Sequence, residues 1–303
     1  MSAFETVAIL GIGLIGSSIA RAARETGAAG VVRLYDRDPQ VRARAQAMGL
    51  GHVAGSAVEA VADADCVILA MPVGAMGAAA AEVGPHLKPG AVLTDVGSVK
   101  RAVADAVAPH VPASVHFIPG HPIAGTEQSG PDAGFASLFR DRWMILTPLA
   151  PETPGQDALA AFWTALGASV EIMDVDRHDL VLAITSHVPH LIAFNIVATA
   201  EDLEAITESE VVKYSAGGFR DFTRLAASDP IMWRDVFIAN REAVLEILGR
   251  FTEDLAALQR AIRWGDADAL QATFTRARRM RREVIDAGQD IAAPNFGRNS
   301  DKD

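Results

Sequence analysis

The run Gly11-Ile12-Gly13-Leu14-Ile15-Gly16 constrains this chain more than any other stretch, because of what flanks it. Before it, residues 6–10 (TVAIL) are a short apolar run with β-branched members. From Ser17 onward, SSIARAARETG has helical spacing and stops at Gly27. Strand, glycine turn and helix in that order open a dinucleotide-binding unit. Gly11 permits the tight turn, Gly13 lets a pyrophosphate approach the backbone, and Gly16 lets the helix pack close to the strand. The helix start supplies amide donors to the phosphates, so Ile12, Leu14 and Ile15 join the three glycines as expected cofactor contacts. The next strand, VVRLYD, ends at Asp36, twenty residues after Gly16, where a carboxylate for the adenosine ribose belongs. A carboxylate there favours NAD over NADP, with Arg37 next door able to offset part of the repulsion.

The alternation continues. Helices are expected over DPQVRARAQAMG, SAVEAVADA, residues 74–83 and VKRAVADAVAP, and strands over DCVILAMP, AVLTDVGS and VHFIPG. Met71 and Pro72 close the first of these strands and are expected to touch the cofactor. RWMILTP, a helix after Pro154 and SVEIM extend the pattern to about residue 174. Strands alternating with helices of about ten residues imply a Rossmann-type, doubly wound parallel sheet covered on both faces. Ligands of such sheets sit beyond the carboxyl ends of the strands, where Asp36, Ser98 and His121 all fall.

The stretch 116–130, HFIPGHPIAGTEQSG, has the marks of an active-site loop. An apolar run ends at Pro119-Gly120 and leaves His121 exposed at a strand end. Pro122 then bars an ordinary helix. Thr126, Glu127 and Ser129 add polar groups among the glycines.

From residue 176 to about 290 only helical periodicity is found, which predicts a second, all-helical domain over 175–292 after a nucleotide domain of 1–174. DPIMWRDVFIANREAVLEILGRFTEDLAALQRAI reads as one very long helix, too apolar over 236–262 for a single stripe and suited to a bundle or dimer. His187 and His190 in SHVPH are three apart on one helix face, and Pro189 is expected to kink the helix and turn both rings toward a cleft. Two core histidines would give the same spacing. A zinc site is the weaker reading, His178 being the nearest third candidate. Arg220 and Arg224 also share a face, suited to substrate carboxylates, or to pairing with Asp221, Asp229 or Asp235. The tail 293–303 is polar, and disorder is expected there.

Acidic residues outnumber basic ones, 38 to 27, which argues against a general binder of nucleic acid or anionic membrane. The lone Cys66 cannot form an intrachain disulfide, no signal peptide is read at the N-terminus, and no membrane span is read. A cytoplasmic protein without a metal is the expectation.

With these pieces in place the chain resembles the prephenate/arogenate dehydrogenase family of tyrosine biosynthesis. The resemblance rests on GIGLIGSSIA (11–20), DVGSVK (95–100), HPIAGTEQSG (121–130), SHVPHL (186–191) and GGFRDFTRLAASDPIMWRDVF (217–237), and it covers nearly the whole chain. It implies a nucleotide domain, a helical dimerisation domain, an active site between them and a homodimer. It also implies NAD(P)-linked oxidative decarboxylation of prephenate to 4-hydroxyphenylpyruvate, or of arogenate to tyrosine. By resemblance, His121 is the catalytic histidine and Ser98 the serine beside it, proposed to bridge the histidine and the ring hydroxyl. Arg224 holds a substrate carboxylate. His187, His190, Arg220, Trp233 and Thr126 belong to the substrate pocket, with Glu127 an acid that gates it. A β-hydroxyacid-type dehydrogenase is the closest rival, but it should carry a catalytic lysine in the second domain, where Lys213 is the only lysine before residue 302 and lies outside the motifs. A non-catalytic NAD(H) sensor would not need Ser98, His121 and two arginines together.

Overall fold

The computed structural model describes residues 2–126, 128–207 and 213–286. Its first half opens with β1 (Phe4–Leu10), α1 (Leu14–Thr26), β2 (Ala29–Tyr35), α2 (Pro39–Ala47) and β3 (His52–Val53). Then come α3 (Ala57–Val61), β4 (Cys66–Leu69), α4 (Val73–Val83), β5 (Val92–Asp95), α5 (Arg101–Val107) and β6 (His116–Ile118). The six strands form one parallel sheet in the order β3-β2-β1-β4-β5-β6. Because side chains alternate across a strand, Val7 and Ile9 of β1 enter one core while Ala8 and Leu10 enter the other. β4 divides likewise, Cys66 and Ile68 against Val67 and Leu69. Burial on both faces is why these strands read as unbroken apolar runs.

The later strands do not extend that sheet, contrary to the sequence reading. β7 (Gly120–Pro122), β8 (Trp143–Leu146) and β9 (Ser169–Ile172) form a separate mixed sheet, with β7 antiparallel to β8, β8 parallel to β9, and α6 (Gln156–Ala165) between the last two. The break falls at Pro119, which has no amide to continue a ladder and whose carbonyl accepts from Thr147 N–H at 2.8 Å. His121 is therefore the middle residue of a short strand paired with Ile145, not a residue of an open loop, and it is partly buried.

Beyond residue 174 no strand occurs among the described residues. The helices are α7 (Val175–Leu182), a π turn (Ala183–His187), α8 (Val188–Thr207), α9 (Gly217–Thr223), a 3-10 turn (Arg224–Ala227), α10 (Pro230–Ala239), α11 (Arg241–Trp264) and α12 (Ala267–Asp286). The single long helix expected around 229–262 is two, parted at Asn240, whose backbone (φ −109°, ψ 29°) leaves the helical region. One stretch, Val175–Leu203, is long and apolar enough to cross a membrane by length and composition alone, a feature the sequence reading did not find.

By internal contacts the chain groups into Met1–Leu245 and Glu246–Asp303. Both sheets and α1 to α10 belong to the first unit. In the second, α12 buries no residue, and Leu255, Ile262, Trp264, Phe274 and Met280 are all more than half exposed. The tail expected to be disordered, 293–303, lies outside the described residues.

Candidate active site

The glycine turn has the shape its sequence requires. Gly11 has φ +99°, and a Cβ there would stand 2.3 Å from the carbonyl oxygen of Ala70. At Gly16 a Cβ would stand 2.0 Å from the carbonyl oxygen of Gly11. Gly13 opens onto free space, with nothing within 4 Å of an added Cβ. The helix begins at Leu14, earlier than Ser17, and its first bond runs from Ser17 N–H to Gly13 C=O at 3.0 Å. The amides of Leu14, Ile15 and Gly16 thus precede the intrahelical ladder. Asp36, just past β2, accepts from Ile12 N–H at 2.8 Å and from Asp38 N–H at 2.9 Å. Met71 and Pro72 follow β4, with Pro72 capping α4. An open glycine, free helix amides and a carboxylate at the next strand end fit a dinucleotide.

Ser98 lies three residues past β5 and His121 three past β6, so both follow the carboxyl ends of neighbouring strands. No hydrogen bond joins them among the described residues. His121 instead meets His178, Nδ1 to Nε2, at 2.9 Å, and His178 Nδ1 meets Asp179 Oδ1 at 2.8 Å. Asp179 also accepts from the amides of Lys100 (2.8 Å) and Arg101 (2.9 Å), which fixes the start of α5. Lys100 is wholly buried, ion-paired with Asp95 and donating to Gly120 C=O at 2.6 Å. Burial lowers the Lys100 pKa against the pull of Asp95. Burial first, then His178, Lys100 and His187, push His121 well below the ordinary histidine range, so it is neutral at neutral pH.

His187 is fully buried, so the expected exposure of both rings of SHVPH is not found. The change at that point is the π turn preceding Pro189, not a simple proline kink. Its Nδ1 meets the side-chain amide of Asn240 at 3.0 Å, and burial above all lowers its pKa to about 4. His190 is partly exposed, bonds the Ser186 carbonyl through Nδ1 at 2.8 Å, and stacks on Trp233 with ring centroids 3.7 Å apart. Burial, mainly, lowers its pKa, and the charge of Arg224 acts on it in the same sense. Arg220 is directed elsewhere: it is exposed and paired with Asp221 at 3.3 Å, the alternative that its spacing left open. Thr126 is exposed, its hydroxyl accepting from Gln128 N–H at 3.2 Å, and Glu127 lies outside the described residues.

Sequence reasoning missed Asp179, Asn240 and Lys100, and weighed His178 only for zinc. No group of three or more His, Cys, Asp or Glu side chains suited to a metal ion occurs among the described residues. A signal for Asp179 and His178 existed, since Asp174 caps α7 through the amides of Asp176 and Arg177 and so puts His178 and Asp179 at the end of its first turn.

Comparison with known proteins agrees with this layout. The family model of the prephenate dehydrogenase nucleotide-binding domain matches residues 19–172, and that of the prephenate dehydrogenase dimerization domain matches 174–276. The cyclohexadienyl dehydrogenase of Zymomonas mobilis subsp. mobilis is 43% identical over 284 residues, 93% of this chain and 96% of that protein. The prephenate dehydrogenase from A. aeolicus, solved with hydroxyphenyl propionate and NAD+, is 32% identical with a TM-score of 0.85, over 92% of this chain and 98% of that one. Synechocystis arogenate dehydrogenase aligns with a TM-score of 0.79 at 25% identity, over 92% and 99% of the two chains.

Proposed function

The chain belongs to the prephenate dehydrogenase family, and on that premise we propose that it catalyses NAD-linked oxidative decarboxylation of prephenate, arogenate or both, giving 4-hydroxyphenylpyruvate or tyrosine. The observation that carries the reading is a neutral histidine, His121, just past the carboxyl end of β6 in a sheet whose β1–α1 turn fits a dinucleotide.

The Gly11–Gly16 turn, the first amides of α1, Asp36 and its neighbour Arg37, with Met71 and Pro72 alongside, would hold NAD, which would supply the acceptor for a hydride from the ring carbon that bears the hydroxyl. His121 takes the hydroxyl proton as the hydride leaves. Loss of carbon dioxide from the opposite ring carbon returns an electron pair to the ring, and the product is aromatic. Ser98 orients the hydroxyl toward His121. Arg224 holds a substrate carboxylate, and the stacked His190 and Trp233 wall the ring, with Thr126 and Arg220 at the rim; by the family resemblance Glu127 is the acid that gates the pocket. His187 lies behind this wall, edge-on to Trp233 with ring centroids 6.0 Å apart. Orientation of this kind lowers a barrier by as much as about 7–11 kcal/mol.

The domain division 1–174 and 175–292, a homodimer built on the helical domain, and a cytoplasmic location belong to the same proposal. The exposed apolar side chains of α11 and α12 support the dimer. The deciding experiment follows NADH appearance with the purified chain on prephenate and arogenate in parallel. Turnover of neither substrate would overturn the proposal and leave a nucleotide-binding protein without this chemistry.

A further inference from the structure

We propose that Asp179 and His178 are positioning residues that keep the His121 proton on Nδ1 and thereby leave Nε2 bare as the proton acceptor. The inference rests on reading His121 as the base.

Following the protons along the chain of contacts carries the argument. Asp179 Oδ1 accepts from Lys100 N–H and Oδ2 from Arg101 N–H. Burial opposes charge on Asp179, but the bonds from His178 and these two amides prevail and lower its pKa, so it is a carboxylate. A carboxylate has no proton to give. His178 Nδ1, facing it at 2.8 Å, is therefore the donor. Burial, the largest influence on His178, keeps it neutral despite Asp179. A neutral imidazole has one N–H, already given to Asp179, so its Nε2 accepts. The atom facing that nitrogen at 2.9 Å is His121 Nδ1, which must be the donor. His121, also neutral, is left with its lone pair on Nε2.

The other titratable groups acting on His121 are Lys100, held by Asp95 and the Gly120 carbonyl, and His187, held by Asn240; neither is hydrogen-bonded to it. Capping α5 explains why Asp179 is there. It does not explain His178, a fully buried histidine whose two nitrogens both face ring or carboxylate partners. Protonating His178 would turn its Nε2 into a donor and reverse the chain.

Nitrogen-15 NMR of the intact chain reads the tautomers without turnover. The expected result is an N–H on Nδ1 of both His121 and His178. His178→Phe should abolish that preference in His121 and lower kcat about 10²-fold, with the substrate KM changed only a few fold. His178→Gln, whose carbonyl can accept the same proton near the place of Nε2, should recover most of the rate. A wild-type His121 protonated on Nε2 would overturn the proposal. So would a Phe variant with wild-type kcat and pH profile, or a Gln variant no better than Phe. Should wild type turn over neither substrate, the proposed function fails while the nitrogen shifts still decide the tautomer. If the Phe variant does not fold, the wild-type spectrum and the Gln variant decide.

Discussion

The side-chain amide of Asn240 donates to the carbonyl of Asp179 at 2.9 Å and to Nδ1 of His187 at 3.0 Å, across 61 and 53 residues of sequence. Both amide hydrogens are thus used, and Asn240 is only 5% exposed. The residue that ends α10 is also the one that ties α7 to the SHVPH turn. A helix interruption and a buried polar cluster here have one cause.

Asn240→Ala should therefore destabilise the fold. It strands His187 Nδ1 in a buried site, at about 1–3 kcal/mol for the unsatisfied group, and removes one of two bonds to the Asp179 carbonyl, which keeps the Ala183 amide. Urea unfolding measures this, and an unchanged midpoint would show that these two bonds contribute nothing net.

Stability should also fall as the solution is acidified. His121, His178, His187 and His190 all have pKa values lowered by folding, burial being the largest cause in each. The unfolded chain takes up these protons near pH ~6.5, whereas the folded chain resists until lower pH. The contribution is full above that value and is lost as pH falls toward about 4, the value for His187. His187 alone is worth on the order of 3 kcal/mol across that window. Urea midpoints that stay level or rise between neutral and mildly acidic pH would contradict the assignment of these rings as neutral.

Much of this was legible in the sequence, and the failures share a physical reason. The glycine turn, Asp36 and the parallel strands are local: spacing and apolar runs specify them, and the structure places them as read. The departure of β7 from the main sheet depends on a partner, β8, whose pairing no local pattern encodes. The break at Asn240 was hidden because asparagine is an ordinary surface residue of helices until buried acceptors from distant segments reach it. Asp179 was hidden in the same way, since its charge is offset by backbone amides 78 and 79 residues away.

Asp36 should govern the choice of cofactor. A 2′-phosphate near its carboxylate is repelled by about 4 kcal/mol at ~4 Å and an effective dielectric near ~20. A third of that is about tenfold in affinity. Asp36→Ser should narrow the NAD preference, and it should weaken NAD as well, because the carboxylate also holds Ile12 N–H in the glycine turn. Equal kcat/KM for NAD and NADP in the wild type would refute the role.

Arg224→Ala should raise the substrate KM more than tenfold and leave NAD affinity within a few fold. Arg224 is exposed in the free protein, so the charge pair is desolvated only when substrate covers it, and removing one partner of such a pair costs roughly 2–5 kcal/mol. Arg220→Ala, at a residue already paired with Asp221, should do much less. Equal effects of the two substitutions would return Arg224 to a structural role.

The sharpest test concerns His121 itself. As a base it works only when neutral, so kcat/KM should rise with pH through its pKa and then level off. Because burial and the neighbouring His178, Lys100 and His187 depress that pKa in the free protein, the plateau should be reached below the ordinary histidine value of about 6.5. In kcat, which reports the substrate complex, the bound carboxylates favour the imidazolium and should move the limb upward relative to kcat/KM. His121→Asn keeps a polar side chain in β7 but removes the proton acceptor, and should lower kcat by about 10²–10⁴-fold with NAD binding intact and the acidic limb gone. Ser98→Ala should cost less, since it removes orientation and not the acceptor. An Asn variant that kept both its rate and its acidic limb would leave His121 as a strand residue packed against His178, and the base would have to be sought elsewhere.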